Sequence, residues 1–293
     1  MATINRIAVT GGSGMAGRAC IADLIEHGYK VLNIDTAPPR DRKCPFISAQ
    51  LTDFGQAIDA ITGVDFGAPN IDAIVHLAAV PSPRRMSNAV TFANNITSTY
   101  NVFEAARRLG IKNIVWASST TVLGLPFDKP PAYFPLDEQH PSRPETAYAL
   151  TKLLGEQMAE QFCRWDPHLK IFALRFSFVN EPHRYAKFAE HEHHSLQHNR
   201  DLWGYVDVRD AAQAIRKSLE CEAKGADVFI IAGKDTMVSI PSSELIANTF
   251  PSVPVNKELK GTDTLLSIEK SRRILGYEPQ YSWHDPSSWV EAK

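Results

Sequence analysis

A glycine-rich turn between an apolar strand and a helix is the feature that most restricts the fold of this chain. Residues 6–10 predict a buried strand, and Thr10-Gly11-Gly12-Ser13-Gly14-Met15-Ala16-Gly17 leads into a helix predicted over 17–27. Such a turn lets the backbone approach a pyrophosphate, which the free N–H groups and dipole of the helix N-terminus attract. A plain tight turn is the alternative. The residues predicted to bind a dinucleotide here are Gly11, Gly14, Met15 and Gly17.

A tyrosine and a lysine stand four residues apart later in the chain. Tyr148 and Lys152 lie on a helix predicted over 145–164, so both side chains share one face, one turn apart. An ammonium beside a phenol favours the phenolate, which lets a tyrosine act as acid or base near neutral pH. Either motif is weak alone. Together and in this order they indicate hydride chemistry on an alcohol or ketone.

Short apolar runs alternate with helical patterns through the first half of the chain. Strands are predicted over 6–10, 30–34, 45–49, 73–77, 113–118, 170–176 and 227–232, with helices over 54–62 and 91–109 and one ending near 222. This order predicts an α/β fold, a Rossmann-type doubly wound parallel sheet with helices on both faces. We expect an NAD-binding domain over 1–179, to which 205–233 return, and a small C-terminal substrate-binding cap formed by 180–204 and 234–293.

The composition is ordinary for a soluble globular protein, with 44% hydrophobic and 22% charged residues and a net charge of -2. No basic patch points to nucleic acid, and no apolar run is long enough to cross a bilayer. The four cysteines form no C-x-x-C pair, which favours free thiols in a reducing compartment. We therefore expect a cytoplasmic protein without nucleic-acid or membrane partners.

Two acidic residues follow predicted strands near the glycine-rich turn. Asp35 ends the second strand, where a carboxylate can accept hydrogen bonds from the adenosine ribose and would repel a 2′-phosphate. NAD is thus favoured over NADP, although Arg40 and Arg42 in the next loop could pair with that phosphate. Asp53 can meet the adenine edge or cap the helix that begins at Phe54. The fourth strand ends at His76, Leu77, Ala78 and Ala79, and we expect the last three to bind the cofactor, which the small residues there would let pass close by.

These motifs together resemble the extended short-chain dehydrogenase/reductases, the NAD-dependent sugar epimerase/dehydratase family. The matching positions are the glycine-rich turn, Asp35, 51–53, 76–79, Asn95, 118–124, 148–152, 174–176 and 205–210. The resemblance implies that Ser119 is the catalytic hydroxyl, Tyr148 the acid/base, and Lys152 the residue that binds the nicotinamide ribose and lowers the pKa of Tyr148. It places Asn95 behind Lys152. It also implies a homodimer that pairs the helices over 91–109 and 145–164.

The resemblance implies a sugar oxidoreductase and leaves the outcome of the reaction open. Ser119 ends a strand at the edge where parallel sheets bind ligands, and Ser118 or Thr120 could act in its place. Thr120 and Thr121 stand where a dehydratase needs carboxylates, so a dehydrogenase or an epimerase is favoured. Nucleotide-sugar 4-epimerase and a non-catalytic NAD-binding regulator are the alternatives. The residues predicted to bind substrate are Ser119, Thr120, Thr121, Ser177 and Arg184.

The segment between Arg175 and Asp207 is short for this family. Members that bind nucleotide-sugars usually need a longer segment there, so residues 176–206 predict a smaller substrate such as a free sugar, sugar acid or polyol. The sequence Glu181-Pro182-His183-Arg184-Tyr185 is similar to the corresponding segment of uronate dehydrogenases. Arg184 could then hold a carboxylate through two hydrogen bonds, or it could be a surface arginine.

A run of histidines in the same segment allows a metal interpretation. The histidines are His183, His191, His193, His194 and His198. Their spacing would bring a pair together on a helix, but no second cluster completes a ligand set. We predict no metal and expect an exposed helix near the substrate entrance.

Overall fold

The computed structural model describes residues 4–64, 70–81, 86–190 and 201–290. Within these ranges the strands are β1 (Arg6–Thr10), β2 (Lys30–Asp35), β3 (Phe46–Ser48), β4 (Ala73–His76), β5 (Asn113–Ser119), β6 (Lys170–Phe176), β7 (Phe178–Asn180), β8 (Tyr205–Asp207) and β9 (Gly225–Ile231). The helices are α1 (Met15–Glu26), α2 (Phe54–Thr62), α3 (Asn88–Leu109), α4 (Ala147–Trp165), α5 (Tyr185–Glu190), α6 (Val208–Glu220), α7 (Ser242–Thr249) and α8 (Glu269–Leu275).

Seven of the described strands form one parallel sheet in the order β3-β2-β1-β4-β5-β6-β9. The strand order reverses between β1 and β4, which opens a crevice at the carboxyl ends of the strands. The predicted doubly wound fold is confirmed. Helix α4 begins at Ala147 rather than at the predicted residue 145. Its start is set by the capping side chain of Thr146, which accepts a hydrogen bond from the N–H of Ala149.

Successive side chains along each strand point to opposite faces of the sheet, so the apolar core forms two layers, one on each face. Ile7 and Val9 point to one face, where they pack with Leu24 of α1. Ala8 points to the other face and belongs to the cluster that contains Phe103 of α3 and Phe162 of α4. The sheet is therefore covered on both faces, as a parallel sheet of near-continuous apolar strands requires.

The sequence pattern did not predict strand β7. It pairs in parallel with β8, Phe178 opposite Tyr205, in a small sheet separate from the main one. The expected return to the main sheet is made by β9, beside β6. Side chains beyond residue 234, including Leu245 and Leu265, belong to the same core cluster as Phe229 of β9. The domain boundaries drawn from the sequence stay a prediction.

Neither a membrane-spanning helix nor a metal-binding cluster is found among the residues that the structure describes. No helix among them is both long and apolar enough to cross a membrane. The same residues include no group of three or more histidine, cysteine, aspartate or glutamate side chains that could hold a metal ion.

A neutral histidine is buried at the end of β4. His76 is fully buried, with Nδ1 2.7 Å from the hydroxyl of Thr10 and Nε2 3.3 Å from the hydroxyl of Thr99. Burial, and next the charge of Lys152, lower the pKa of His76 to about 3. The unfolded chain, whose histidine keeps an ordinary pKa, therefore binds this proton more tightly than the folded chain.

We predict that this histidine contributes to acid unfolding. Below the ordinary histidine pKa of 6.5, the free energy of unfolding should fall as pH decreases toward 3, by about 1.4 kcal/mol per pH unit from this group. His76→Gln should reduce this loss of stability at low pH, while His27→Gln, at the half-exposed histidine that follows α1, should not. Urea unfolding at several pH values measures both. Equal acid limbs in wild type and His76→Gln would contradict the prediction.

Candidate active site

The site is built where helix α4 packs unusually close to strand β5. A Cβ atom added at Gly155 would lie 2.3 Å from the indole ring of Trp116, so only glycine allows this approach. One turn earlier, the ammonium of Lys152 donates a hydrogen bond of 2.6 Å to the carbonyl oxygen of Ala117. Lys152 is buried, and its position is fixed by the strand beneath it.

The three residues predicted to carry the chemistry come together at this contact. The ammonium of Lys152 lies 5.5 Å from the ring centroid of Tyr148. Tyr148 shares a hydrogen bond with Ser119 at the carboxyl end of β5. The Ser119 oxygen accepts hydrogen bonds from the N–H and the hydroxyl of Thr121, at 3.2 and 3.0 Å. Ser119 is therefore oriented by Thr121 so that its own proton is available to the tyrosine oxygen.

The resemblance implies that Lys152 lowers the pKa of Tyr148, but in the structure that pKa lies above its ordinary value. Burial raises the pKa of Tyr148 to about 12, and the hydrogen bond with Ser119 opposes that rise. Burial also lowers the pKa of Lys152 to about 8, against the charge of Glu156. Removal from water disfavours both charged forms and outweighs the local contacts. The tyrosine therefore needs further positive charge near its ring to act as a base near neutral pH.

The side chains of two other predicted site residues, Asn95 and Thr120, form hydrogen bonds with the backbone. The Asn95 side chain accepts a hydrogen bond from Val80 N–H and donates one to Val80 carbonyl oxygen, at 2.8 and 3.2 Å. Asn95 therefore holds the loop after β4. The Thr120 hydroxyl donates to the carbonyl oxygen of Phe176 at 3.3 Å. The Ser177 hydroxyl is buried without a hydrogen-bond partner among the described residues.

The glycine-rich turn has the shape that a dinucleotide requires. Gly11 adopts a positive φ of 72°, and a Cβ there would lie 2.6 Å from the backbone nitrogen of Ala78. A Cβ at Gly17 would lie 2.2 Å from the carbonyl oxygen of Gly11. Gly14 caps α1 and supplies no side-chain hydrogen bond to the helix, so the N–H groups from Met15 onward can receive an anion. These residues fit a bound pyrophosphate.

Asp35 is held at the edge of this turn. One carboxylate oxygen accepts from the N–H of Ser13 at 3.0 Å, and the other from the N–H of Ala37 at 3.2 Å. The second oxygen also accepts from the hydroxyl of Thr36 at 3.5 Å, while the oxygen bound by Ser13 can still accept a hydrogen bond from a ribose hydroxyl. Asp53 caps α2 by accepting from Gln56 N–H at 3.0 Å, which supports the capping interpretation. Leu77, Ala78 and Ala79 follow β4 directly, as predicted.

The arginine predicted to bind substrate, Arg184, lies in the segment that follows β6 and β7. Arg184 is partly buried, and within the described residues it has no ion-pair partner. His183 is exposed in the same short turn, while His191, His193, His194 and His198 lie outside the described residues. The predicted cation is thus unpaired within the described part of the chain.

Sequence reasoning missed two ion pairs beside the site. Arg18 donates to Glu181 at 2.9 Å and to the carbonyl oxygen of Ser13 at 3.1 Å, so it joins the glycine-rich turn to the segment after β7. Glu156 and Arg175 form a second pair beneath the catalytic helix. The position of Glu156, four residues after Lys152, was the only local signal, and it did not identify the partner.

Comparison with known proteins agrees with this geometry. The family model for the NAD dependent epimerase/dehydratase family matches residues 7–232. L-arabinose 1-dehydrogenase (NAD(P)(+)) of Haloferax volcanii is 26% identical over 284 residues, which cover 94% of this chain and 96% of that protein. A putative UDP-glucose 4-epimerase of Methanocaldococcus jannaschii is 31% identical over 165 residues, which cover 54% of this chain and 51% of that protein. The chain thus spans about half the length of this epimerase.

Solved structures show the same fold. A short-chain dehydrogenase/reductase superfamily protein from Agrobacterium tumefaciens, with bound NAD, aligns at a TM-score of 0.73 and 22% identity over 97% of this chain and 96% of that one. The predicted fold class, NAD cofactor and general activity, that of a sugar dehydrogenase or epimerase, are confirmed. Because the family model covers most of its length, the chain belongs to the NAD-dependent epimerase/dehydratase family.

Proposed function

We propose that this protein is an NAD-dependent dehydrogenase of a free sugar or sugar acid. The observation that carries the proposal is the short substrate segment. The chain has only 24 residues, 181–204, between β7 and β8. A nucleotide-sugar needs room for the nucleotide as well as the sugar. The similarity to an L-arabinose 1-dehydrogenase over nearly the full length of both chains supports the smaller substrate.

Polar groups on this segment suit a sugar acid. Arg184 is partly buried and without an ion-pair partner in the described part of the chain, and a guanidinium can bind a carboxylate through two parallel hydrogen bonds. The Ser177 hydroxyl, buried and unpartnered among the described residues, lies at the carboxyl end of β6. A sugar hydroxyl would satisfy it at little cost, since an unpaired buried hydroxyl is unfavourable.

The chain's own residues divide the remaining tasks. The turn at Gly11–Gly17 and the carboxylate of Asp35 would hold the pyrophosphate and adenosine ribose of NAD, which when bound accepts a hydride from the substrate carbon. Asp35 favours NAD over NADP, because a carboxylate repels a 2′-phosphate. Lys152 would bind the nicotinamide ribose.

Tyr148 would take the proton from the substrate hydroxyl. Ser119, oriented by Thr121, would hold the same oxygen. Burial opposes the phenolate, so Tyr148 becomes an effective base only where positive charge near the ring offsets burial. The ammonium of Lys152 is one such charge but does not by itself offset burial, so a further positive charge is needed. Thr120 and Thr121 offer no carboxylate for elimination, which argues against a dehydratase.

We also propose a cytoplasmic homodimer. Large apolar side chains are exposed on α3 and α4, the two helices expected to pair: Val90, Tyr100, Leu150 and Trp165. An apolar patch of this kind is typical of an interface. The four thiols are free, which suits a reducing compartment.

The proposed activity predicts net NADH formation from a small sugar. Purified protein should reduce NAD with one or more free aldoses or uronic acids, followed by absorbance of the reduced nicotinamide. UDP-glucose and UDP-galactose should give no net reduction and no interconversion by chromatography. Interconversion of nucleotide-sugars without net NADH would instead establish a 4-epimerase.

Tyr148→Phe should remove the proton acceptor and keep the fold. We expect kcat to fall by about a hundredfold to ten-thousandfold, the usual contribution of a general base. NAD affinity, measured by quenching of tryptophan fluorescence, should stay the same. Tyr29→Phe, directly before β2, is the matched control, since it removes a phenol hydroxyl that donates to Glu220. An active Tyr148→Phe enzyme would exclude this mechanism.

Asp35→Asn should weaken the preference for NAD. The neutral amide no longer repels a 2′-phosphate, and the exposed Arg40 and Arg42 lie in the next loop. The ratio of kcat/KM for NAD to that for NADP should fall by about tenfold or more. Asp41→Asn, an exposed aspartate in the same loop, should leave the ratio unchanged.

A further inference from the structure

A buried carboxylate lies one helical turn beyond the catalytic lysine. Glu156 follows Lys152 on α4 and is 6% exposed. It accepts a hydrogen bond of 2.6 Å from the hydroxyl of Ser118 and two from Arg175, from Nε at 2.9 Å and from Nη2 at 2.8 Å. Every partner of this carboxylate comes from the sheet, so the contact ties the helix to the strands below.

The partners belong to two neighbouring strands. Ser118 of β5 and Arg175 of β6 are paired across the sheet, and Glu156 spans both. The next residue back on β5 is Ala117, whose carbonyl oxygen accepts from Lys152. Helix α4 is therefore pinned at two successive turns to adjacent residues of one strand. This fixes the height and rotation of the helix, and hence where Tyr148 meets Ser119.

Stability alone does not explain the ion pair. Removing two charges from water costs free energy that offsets much of their attraction in the protein interior. Apolar residues of similar size in their place often give a folded protein of equal stability. Nη1 of Arg175 is also buried without a hydrogen-bond partner among the described residues, which adds to the cost. The arrangement is therefore better suited to orienting the helix than to stabilising the fold.

We propose that Glu156 is a positioning residue for the reaction, which acts by clamping α4 to β5 and β6 so that Tyr148 reaches Ser119 and Lys152 reaches the carbonyl oxygen of Ala117. The inference rests on the proposed oxidation and adds a residue that touches neither substrate nor cofactor. It assigns Arg175 and Ser118 the role of holding the clamp.

The carboxylate also acts on the charge of Lys152. Facing the ammonium are Tyr148 and Glu156 from α4, neutral His76 from β4, and the carbonyl of Ala117 with the Trp116 ring from β5. Burial lowers the pKa of Lys152, and Glu156 raises it. Loss of this negative charge, with Arg175 left behind it, should lower that pKa further, so the lysine would lose its proton at lower pH.

The test compares Glu156→Gln with Glu160→Gln, an exposed glutamate one turn further along α4. Glu156→Gln should lower kcat for sugar oxidation by about tenfold to a hundredfold, with little change in KM for NAD. The alkaline limb of its pH profile should move down by about one pH unit. Glu160→Gln should match the wild type. The Lys152 resonance in protein with isotopically labelled lysine, identified by its loss in Lys152→Arg, should titrate at lower pH in Glu156→Gln.

A second variant separates positioning from folding. Glu156→Met combined with Arg175→Met replaces the pair by apolar side chains and should keep the thermal midpoint near or above that of the wild type. Its kcat should still fall at least tenfold. A folded double variant, or a folded Glu156→Gln, with wild-type kcat and pH profile would overturn the proposal.

These outcomes are distinct from failure of the proposed function. If no sugar is oxidised by the wild type, the Lys152 titration still decides the clamp, because it needs no substrate. An unchanged Lys152 titration in Glu156→Gln would count against it.

Discussion

The close packing of α4 on β5 is the contact on which the site depends. Gly155 removes the side chain that would strike Trp116, and Lys152 then reaches the carbonyl of Ala117. With the helix at that depth, Tyr148 meets Ser119 at the carboxyl end of the strand. A larger residue at position 155 would lift the helix, and the three side chains would separate together.

Burial makes this site chemically demanding. Burial raises the pKa of Tyr148 and lowers that of Lys152, so it disfavours both the phenolate of Tyr148 and the ammonium of Lys152. The charge of Glu156 opposes the fall in the pKa of Lys152, and the hydrogen bond with Ser119 opposes the rise in the pKa of Tyr148. The same low-dielectric surroundings strengthen each remaining electrostatic contact. A dry site with few, well-held charges is a common way to keep a general base effective.

The two binding regions meet at one edge of the sheet. The glycine-rich turn follows β1, and the substrate segment follows β6 and β7, so parallel strands bring both to the same crevice. Arg18 joins them by bonding to Ser13 in the turn and Glu181 in the segment.

The sequence by itself determined the strands of the seven-stranded sheet and the helices between them, the glycine-rich turn and the shared face of Tyr148 and Lys152. Each of these depends on neighbours within a few residues. It left the role of Asp53 open, and the structure supports the cap. Only the tertiary structure decided the pairing of β7 with β8, the partners of Glu156 and the direction of the Tyr148 pKa shift. These depend on strand register across the sheet and on burial, which arise from contacts between segments far apart in the chain.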